Sequence, residues 1–223
     1  MKWLATVVSV AALMCSSGTA RAQSLVPPDE VVIHIHEDLK DTDFVEGLIC
    51  ELSRVLAMPV SASTSNLAFA GVDFATNTQL DADRVRYSFA RANEGNGRIF
   101  RYLIHPYDMK VNGLRYVFAS TGRDGLLVGV MSTIRLVPAA PGMTRKRVSD
   151  ITATRLYKLM LKSVAYLSGL DSDGCIMRFP SSLAELDAKS DEFCPEDHAR
   201  LVEARILKAR PVGACNFVSM VMP

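Results

Sequence analysis

Two rhythms of apolar and polar residues run along this chain. Glu30 to His36 is rich in β-branched residues and reads as a strand. Phe44, Val45, Leu48, Ile49, Leu52, Val55 and Leu56 then recur at helical spacing, and Asp41 is placed to cap that helix. Pro59-Val60 opens another extended stretch. Asp81 to Asn93 predicts a second helix, with Val85, Phe89 and Ala92 on one face, closed by a Gly95-Asn96-Gly97 turn. Three strands are predicted next, at Arg98 to His105, Arg115 to Ser120 and Leu126 to Leu136. Pro138 to Gly142 is a loop. Ser149 or Asp150 can cap a long helix running to Ser168, with Gly169 near its end. Helices at Leu183 to Ala188 and Pro195 to Leu207 complete the pattern. The order β-α-β-α-β-β-β-α-α-α predicts an α/β (α+β) fold, a mixed sheet with helices packed on it.

The first 22 residues break this pattern. Lys2 precedes an apolar run from Trp3 to Met14, which leads through small residues to Ala20-Arg21-Ala22. A basic start, a short apolar core and an Ala-x-Ala exit predict a secretory signal cleaved after Ala22. A tail at 23–29 and a single domain at 30–223 would follow. No apolar run reaches the roughly 18 residues of a spanning helix, so no transmembrane segment is expected after signal removal. Export predicts a secreted or periplasmic protein.

Composition is that of an ordinary globular chain: 49% hydrophobic and 22% charged among 223 residues. The leader holds Lys2 and Arg21, two of the 25 basic residues, against 24 acidic ones. The remainder is near neutral, which gives no pull toward nucleic acid. Arg145-Lys146-Arg147 is the one basic run and reads as a solvated loop before a helix. Cys15 falls in the leader, and Met14 before it argues against lipidation. Cys50, Cys175, Cys194 and Cys215 remain; an oxidising compartment allows two disulfides in three pairings, among which sequence does not choose.

Chemistry-bearing motifs are sparse. His34-Ile35-His36 puts two imidazoles on one strand face, without an assigned third ligand. Asp81 with Asp83, and Asp171 with Asp173, resemble fragments of calcium loops but lack the remaining ligands. No Gly-rich phosphate loop and no Gly-x-Ser-x-Gly elbow is present. In the long helix, Leu156, Leu159, Met160, Ser163, Val164 and Leu167 form a core stripe, and Arg155, Lys158, Lys162 and Tyr166 a neighbouring solvated stripe.

The segment 159–197 carries more. Lys162-Ser163-Val164-Ala165-Tyr166-Leu167-Ser168-Gly169-Leu170, Cys175-Ile176-Met177, Ser182-Leu183-Ala184-Glu185-Leu186-Asp187 and Phe193-Cys194-Pro195-Glu196-Asp197 resemble the C-terminal half of the archaemetzincin family of zinc peptidases. Upstream, Asn112 to Phe118 and Val130 to Leu136 resemble the two strands before that family's catalytic helix. The resemblance spans most of 30–207 and implies a metzincin-like mixed twisted sheet with packed helices and a long active-site-type helix at about 150–168. Met177 would then belong to a Met-turn-like segment.

The family carries HExxHxxGxxHC, and this chain departs from it at every reactive position. Register on Gly169 puts Lys162 and Tyr166 at the two helix histidines, Ser163 at the glutamate base and Ser172 at the third histidine. Residues at i and i+4 share a helix face, so two imidazoles there can hold one ion, with the third ligand arriving after the turn. An ammonium has no lone pair to offer and repels the cation. A serine does not take a proton from a zinc-bound water as glutamate does. The resemblance therefore implies zinc, while these residues predict no cofactor and no catalysis: an exported pseudo-metallopeptidase, whose cleft beneath an edge strand would bind an extended peptide or an envelope protein. The rival expectation is an active zinc hydrolase with rearranged ligands drawn from His34, His36, His105, Asp171 or Asp173. A third is a purely structural interaction domain with a filled cleft. In the family four cysteines hold a second zinc; here the resemblance leaves Cys175 and Cys194, for which a disulfide is expected, with Cys50 and Cys215 as the remaining pair. A weaker alternative is a metal site of Cys175 and Cys194 with Asp173, Asp197 or His198.

Overall fold

The computed structural model describes residues 24–39, 42–95, 97–139 and 141–215. The signal at 1–22, with Cys15, and the cap expected at Asp41 lie outside the described residues.

Five strands form one sheet in the order β2-β1-β4-β7-β6. They are β1 (Glu30–His36), β2 (Val60–Ser65), β4 (Ile99–His105), β7 (Val128–Ser132) and β6 (Ala119–Thr121). The first four are mutually parallel, and β6 joins antiparallel at one edge, pairing Ala119 with Met131 and Thr121 with Gly129. β3 (Leu80–Asp81) and β5 (Met109–Lys110) make a separate two-stranded parallel pair. The helices are α1 (Phe44–Val55), α2 (Ala82–Ala92), α3 (Arg145–Leu167), α4 (Leu183–Ala188) and α5 (Pro195–Glu203).

Strand alternation divides the core in two. Val31, Ile33, Ile35, Phe100, Tyr102, Ile104 and Met131 join one cluster with Leu48 and Leu52 of α1 and Leu156, Met160 and Val164 of α3. Leu103, Val128 and Val130 point the other way, to Val85 and Phe89 of α2. Both faces of the sheet are thus covered, as a largely parallel sheet requires. This is the mixed sheet with packed helices that the pattern predicts.

Several boundaries differ from the predicted ones. α3 begins a turn before Ser149, because Thr144 accepts the backbone N–H of Arg147 at 3.3 Å. Ser149 and Asp150 lie buried within the helix. Of the strand expected at Arg115 to Ser120, only the end enters the sheet; Val117 instead donates its N–H to Met109 O at 2.9 Å. β7 stops at Ser132, where β4 also ends, and a turn closes through Leu136 N–H to Thr133 O at 2.8 Å. α5 stops at Glu203, short of Leu207; Arg205 takes φ +59° and Leu207 forms a bridge to Leu56. The expected tail at 23–29 is anchored, since Val26 N–H donates to Ser168 O and Asp29 N–H to Arg98 O, both at 2.9 Å. The residue before α1 is Asp43, whose side chain makes no capping bond.

Candidate functional site

α3 ends in a turn that only glycine accommodates easily. Gly169 has φ +103°, its N–H bonds Tyr166 O, and the N–H of Leu170 bonds Ala165 O, each at 3.0 Å. This is a Schellman closure. Arg123 reinforces it, donating to Tyr166 O at 3.1 Å and to Leu170 O at 2.5 Å. The same guanidinium lies 4.0 Å from the Tyr166 ring centroid, a cation–π contact that fixes the ring.

Beside this turn, α3 and the edge strand β6 enclose a groove of about 250 Å³. Tyr116, Phe118 and Phe179 give it apolar walls, and Lys162, Ser163 and Tyr166 line it from the helix. Phe179 and Leu114 at its rim are 60% and 43% exposed. Three of the four family-register positions therefore converge on one groove. Ser163 is buried, and its hydroxyl is spent on Thr121 Oγ1 of β6 at 2.6 Å. Lys162 holds its Nζ 5.4 Å from the Phe179 ring centroid, and desolvation pulls its pKa below the ordinary lysine value. The fourth position, Ser172, is not among the groove-lining residues; its hydroxyl donates to Asp197 Oδ2 at 2.6 Å, on the first turn of α5.

The helix stripe expected to be solvated is partly wrong. Arg155 and Lys158 are buried. Arg155 makes a two-pronged pair with Asp187, both contacts at 2.6 Å, and donates to Leu136 O at 2.5 Å. Lys158 Nζ caps the end of α4 through the carbonyls of Leu186, Asp187 and Lys189, at 3.2, 3.0 and 2.5 Å. Packing of α4 on α3 buries these cations and supplies their partners, so only Lys162 and Tyr166 keep partial access to solvent.

Cys175 is bonded to Cys194 and Cys50 to Cys215, with Cα separations of 5.4 and 5.9 Å. A Cβ on Gly174 would sit 2.9 Å from Cys194 Sγ, so glycine leaves room for that bridge. Cys175, Cys194, Asp197 and His198 do not assemble as a metal set. The two sulfurs bond one another, Asp197 accepts from Ser172, and His198 lines a different cavity, of about 500 Å³ between α1 and α3. Met177 is buried in the main core after the short 3-10 turn that begins at Cys175.

The rival ligands are engaged elsewhere. His34 packs edge-on against Phe89, and burial lowers its pKa. His36 stacks on Phe69, with Nε2 3.2 Å from Leu67 O. His105 is fully buried with Nε2 3.2 Å from Met109 Sδ, and desolvation pushes its pKa down to about 3. Asp171 meets Arg123 at 3.8 Å. Among the described residues no group of three His, Cys, Asp or Glu side chains is arranged to hold a metal ion. Lys162, Tyr166 and Ser172 do not fit zinc either: one is a cation, one is clamped beneath Arg123, and one gives its proton to Asp197. Sequence reasoning missed Arg123, Thr121 and Phe179, which carry no motif and reach the site from distant loops and strands.

No family model matches the chain. An archaemetzincin of Halobacterium salinarum is 28% identical over 139 residues, covering 60% of this chain and 78% of that protein. Among solved structures, a zinc-dependent peptidase from Methanocorpusculum labreanum superposes with TM-score 0.63 at 22% identity, over 76% of this chain and 99% of that one. Archaemetzincin from Archaeoglobus fulgidus, solved with malonate, gives 0.60 at 20% identity, over 77% and 99%. Archaemetzincin from Methanopyrus kandleri gives 0.58 at 21%, over 83% and 98%. These relatives overturn the expectation of no cofactor, since they point to zinc, even though the residues at the helix and turn do not supply its donors. The alternation of the strands, the mixed sheet, the long helix with its glycine turn and these similarities make the chain an archaemetzincin homologue with the archaemetzincin fold.

Proposed function

We propose that this chain is an exported peptide-binding domain derived from a zinc peptidase, and that its groove holds an extended peptide without cleaving it. The groove between β6 and α3 carries this reading. It has apolar walls, an aromatic rim at Phe179 and an edge strand paired on only one side within the sheet. A peptide could add to the free edge of β6 through backbone hydrogen bonds and place alternate side chains against Tyr116, Phe118 and Phe179. None of the groove's polar groups suits hydrolysis at neutral pH. Lys162 is a cation that polarises no water as a base, Ser163 is held by Thr121, and Tyr166 lies under Arg123. Export is supported by the leader pattern and by two disulfides, which persist in oxidising compartments.

Zinc is the ion that bears on the test. Purified protein loaded with zinc is assayed against a library of fluorogenic peptides and, in parallel, for peptide binding by fluorescence anisotropy. Binding without turnover, unchanged by zinc or by a chelator, is the expected result. Chelator-sensitive cleavage would overturn it, and loss of that cleavage on substituting His34, His36, His105, Asp171 or Asp173 would identify a rearranged site.

A further inference from the structure

Four cations, Arg155, Lys158, Lys162 and Lys189, cluster where α3 meets α4 and the residue following it. Two are matched. Arg155 has Asp187, and Lys158 has the three carbonyls at the end of α4. Two are not. Lys189 is 7% exposed, and its buried ammonium has no hydrogen-bond partner. Lys162 lines the groove half-buried, with only the face of Phe179 near its charge and no ion-pair or hydrogen-bond partner among the described residues. The two ammonium groups are close enough for Lys162 and Lys158 to disfavour the charge on Lys189. Asp187, the nearby carboxylate on α4, is already held by Arg155 on both oxygens. Unpaired buried cations are costly, and a pair of them is costlier still, because like charges repel in a poorly solvated interior.

We propose that Lys162 and Lys189 form a carboxylate-binding subsite of the groove, which takes the negative charge of a bound peptide. This rests on the reading of the groove as a peptide site and names the chemistry it selects. A carboxylate accepts hydrogen bonds from both ammonium groups and removes the repulsion between them. Charge-assisted bonds of this kind are about twice as strong as neutral ones. The carboxylate comes either from a free C-terminus or from an Asp or Glu side chain. Both place the same two oxygens between the lysines, while the peptide's apolar side chains contact Tyr116, Phe118 and Phe179.

Three N-acetylated, dye-labelled hexapeptides of Val, Leu and Ser serve as probes: one with a free C-terminus, one with a C-terminal amide, and one amidated with a single internal Glu. At least one carboxylate peptide is expected to bind tenfold or more tighter than the neutral amide. That preference disappears in Lys162→Met and in Lys189→Met and persists in Lys110→Met, on β5 outside the groove lining. Preference for the free C-terminus assigns the terminal carboxylate; preference for the Glu peptide assigns the side chain. Equal binding of all three, unchanged by the lysine variants, overturns the subsite and leaves the groove standing. If no peptide binds, the groove reading fails, and the subsite is tested alone with sodium malonate and reductive methylation read by mass spectrometry. Protection of Lys162 by malonate in the wild-type protein retains the subsite, and equal methylation with and without it overturns the subsite. The same protection measurement with the peptides serves if a variant does not fold.

Discussion

Replacing Lys189 by Met should stabilise this protein at neutral pH, and the gain should fade as pH rises. Burial first, then the charges of Lys162 and Lys158, push the Lys189 pKa down to about 7. In the unfolded chain the same group titrates near the ordinary value of about 10.4. Between these values the unfolded state binds a proton that the folded state does not, so folding stability rises with pH across that window. The slope reaches about 1.4 kcal/mol per pH unit, which gives a full span of about 4 to 5 kcal/mol. Below pH 7 both states are charged, and the folded protein carries the whole cost. Methionine keeps the unbranched apolar stem and removes the ammonium, so the variant escapes that cost. The charged groups acting on Lys189 are the two lysines of α3, both charged throughout most of this range; Asp187 and Asp191 act on Lys158 instead. Urea unfolding of both proteins from pH 6.5 to 9.5 measures the difference. Lys189→Met is expected to be more stable by about 2 to 4 kcal/mol at pH 7 and by less than about 1 kcal/mol at pH 9.5. A difference that does not change with pH, or a variant weaker than wild type at pH 7, would refute the placement of an uncompensated ammonium there.

Two further outcomes follow from the same neighbourhood. Arg155→Ala should cost about 3 to 5 kcal/mol in chemical denaturation, because it strands Asp187 and Leu136 O together; a cost below about 1 kcal/mol would show that the pair is solvated. Reducing or deleting the Cys175–Cys194 bridge, whose residues are 19 apart in sequence, should cost about 3 kcal/mol from loop entropy. Alkylation and mass spectrometry of the untreated protein should find neither thiol free.

The elements were legible wherever the pattern is local. α2 and α4 fall within a residue of their expected bounds, because Asp81 and Ser182 cap them with their own side chains: Asp81 accepts from Asp83 and Arg84, and Ser182 from Glu185. β6 was harder. Val117 and Phe118 look like strand residues, since they bury on opposite faces of the sheet in the two cores, yet the Val117 N–H is taken by Met109 and only three residues enter the ladder. Register on Gly169 was enough to bring Lys162, Ser163 and Tyr166 to one groove, since helix geometry fixes their relation. It was not enough to place Ser172, whose position depends on Asp197 of α5.

The cations of α3 show why the rest was hidden. Arg155, Lys158 and Lys162 recur at helical spacing, and sequence alone treats a stripe of cations as a wetted face. What buries the first two is α4, about 30 residues later, which brings Asp187 to Arg155 and its terminal carbonyls to Lys158. Lys162 lies one turn beyond Lys158 and finds neither. Lys189, just after α4, is drawn inward by the same packing and also finds neither. Where the relatives' chemistry calls for a bound cation, this chain sets two of its own beside an open groove. A scaffold that surrenders its histidines yet keeps positive charge at that point has changed what it attracts, from electron-pair donors around a metal to an anion carried by a ligand.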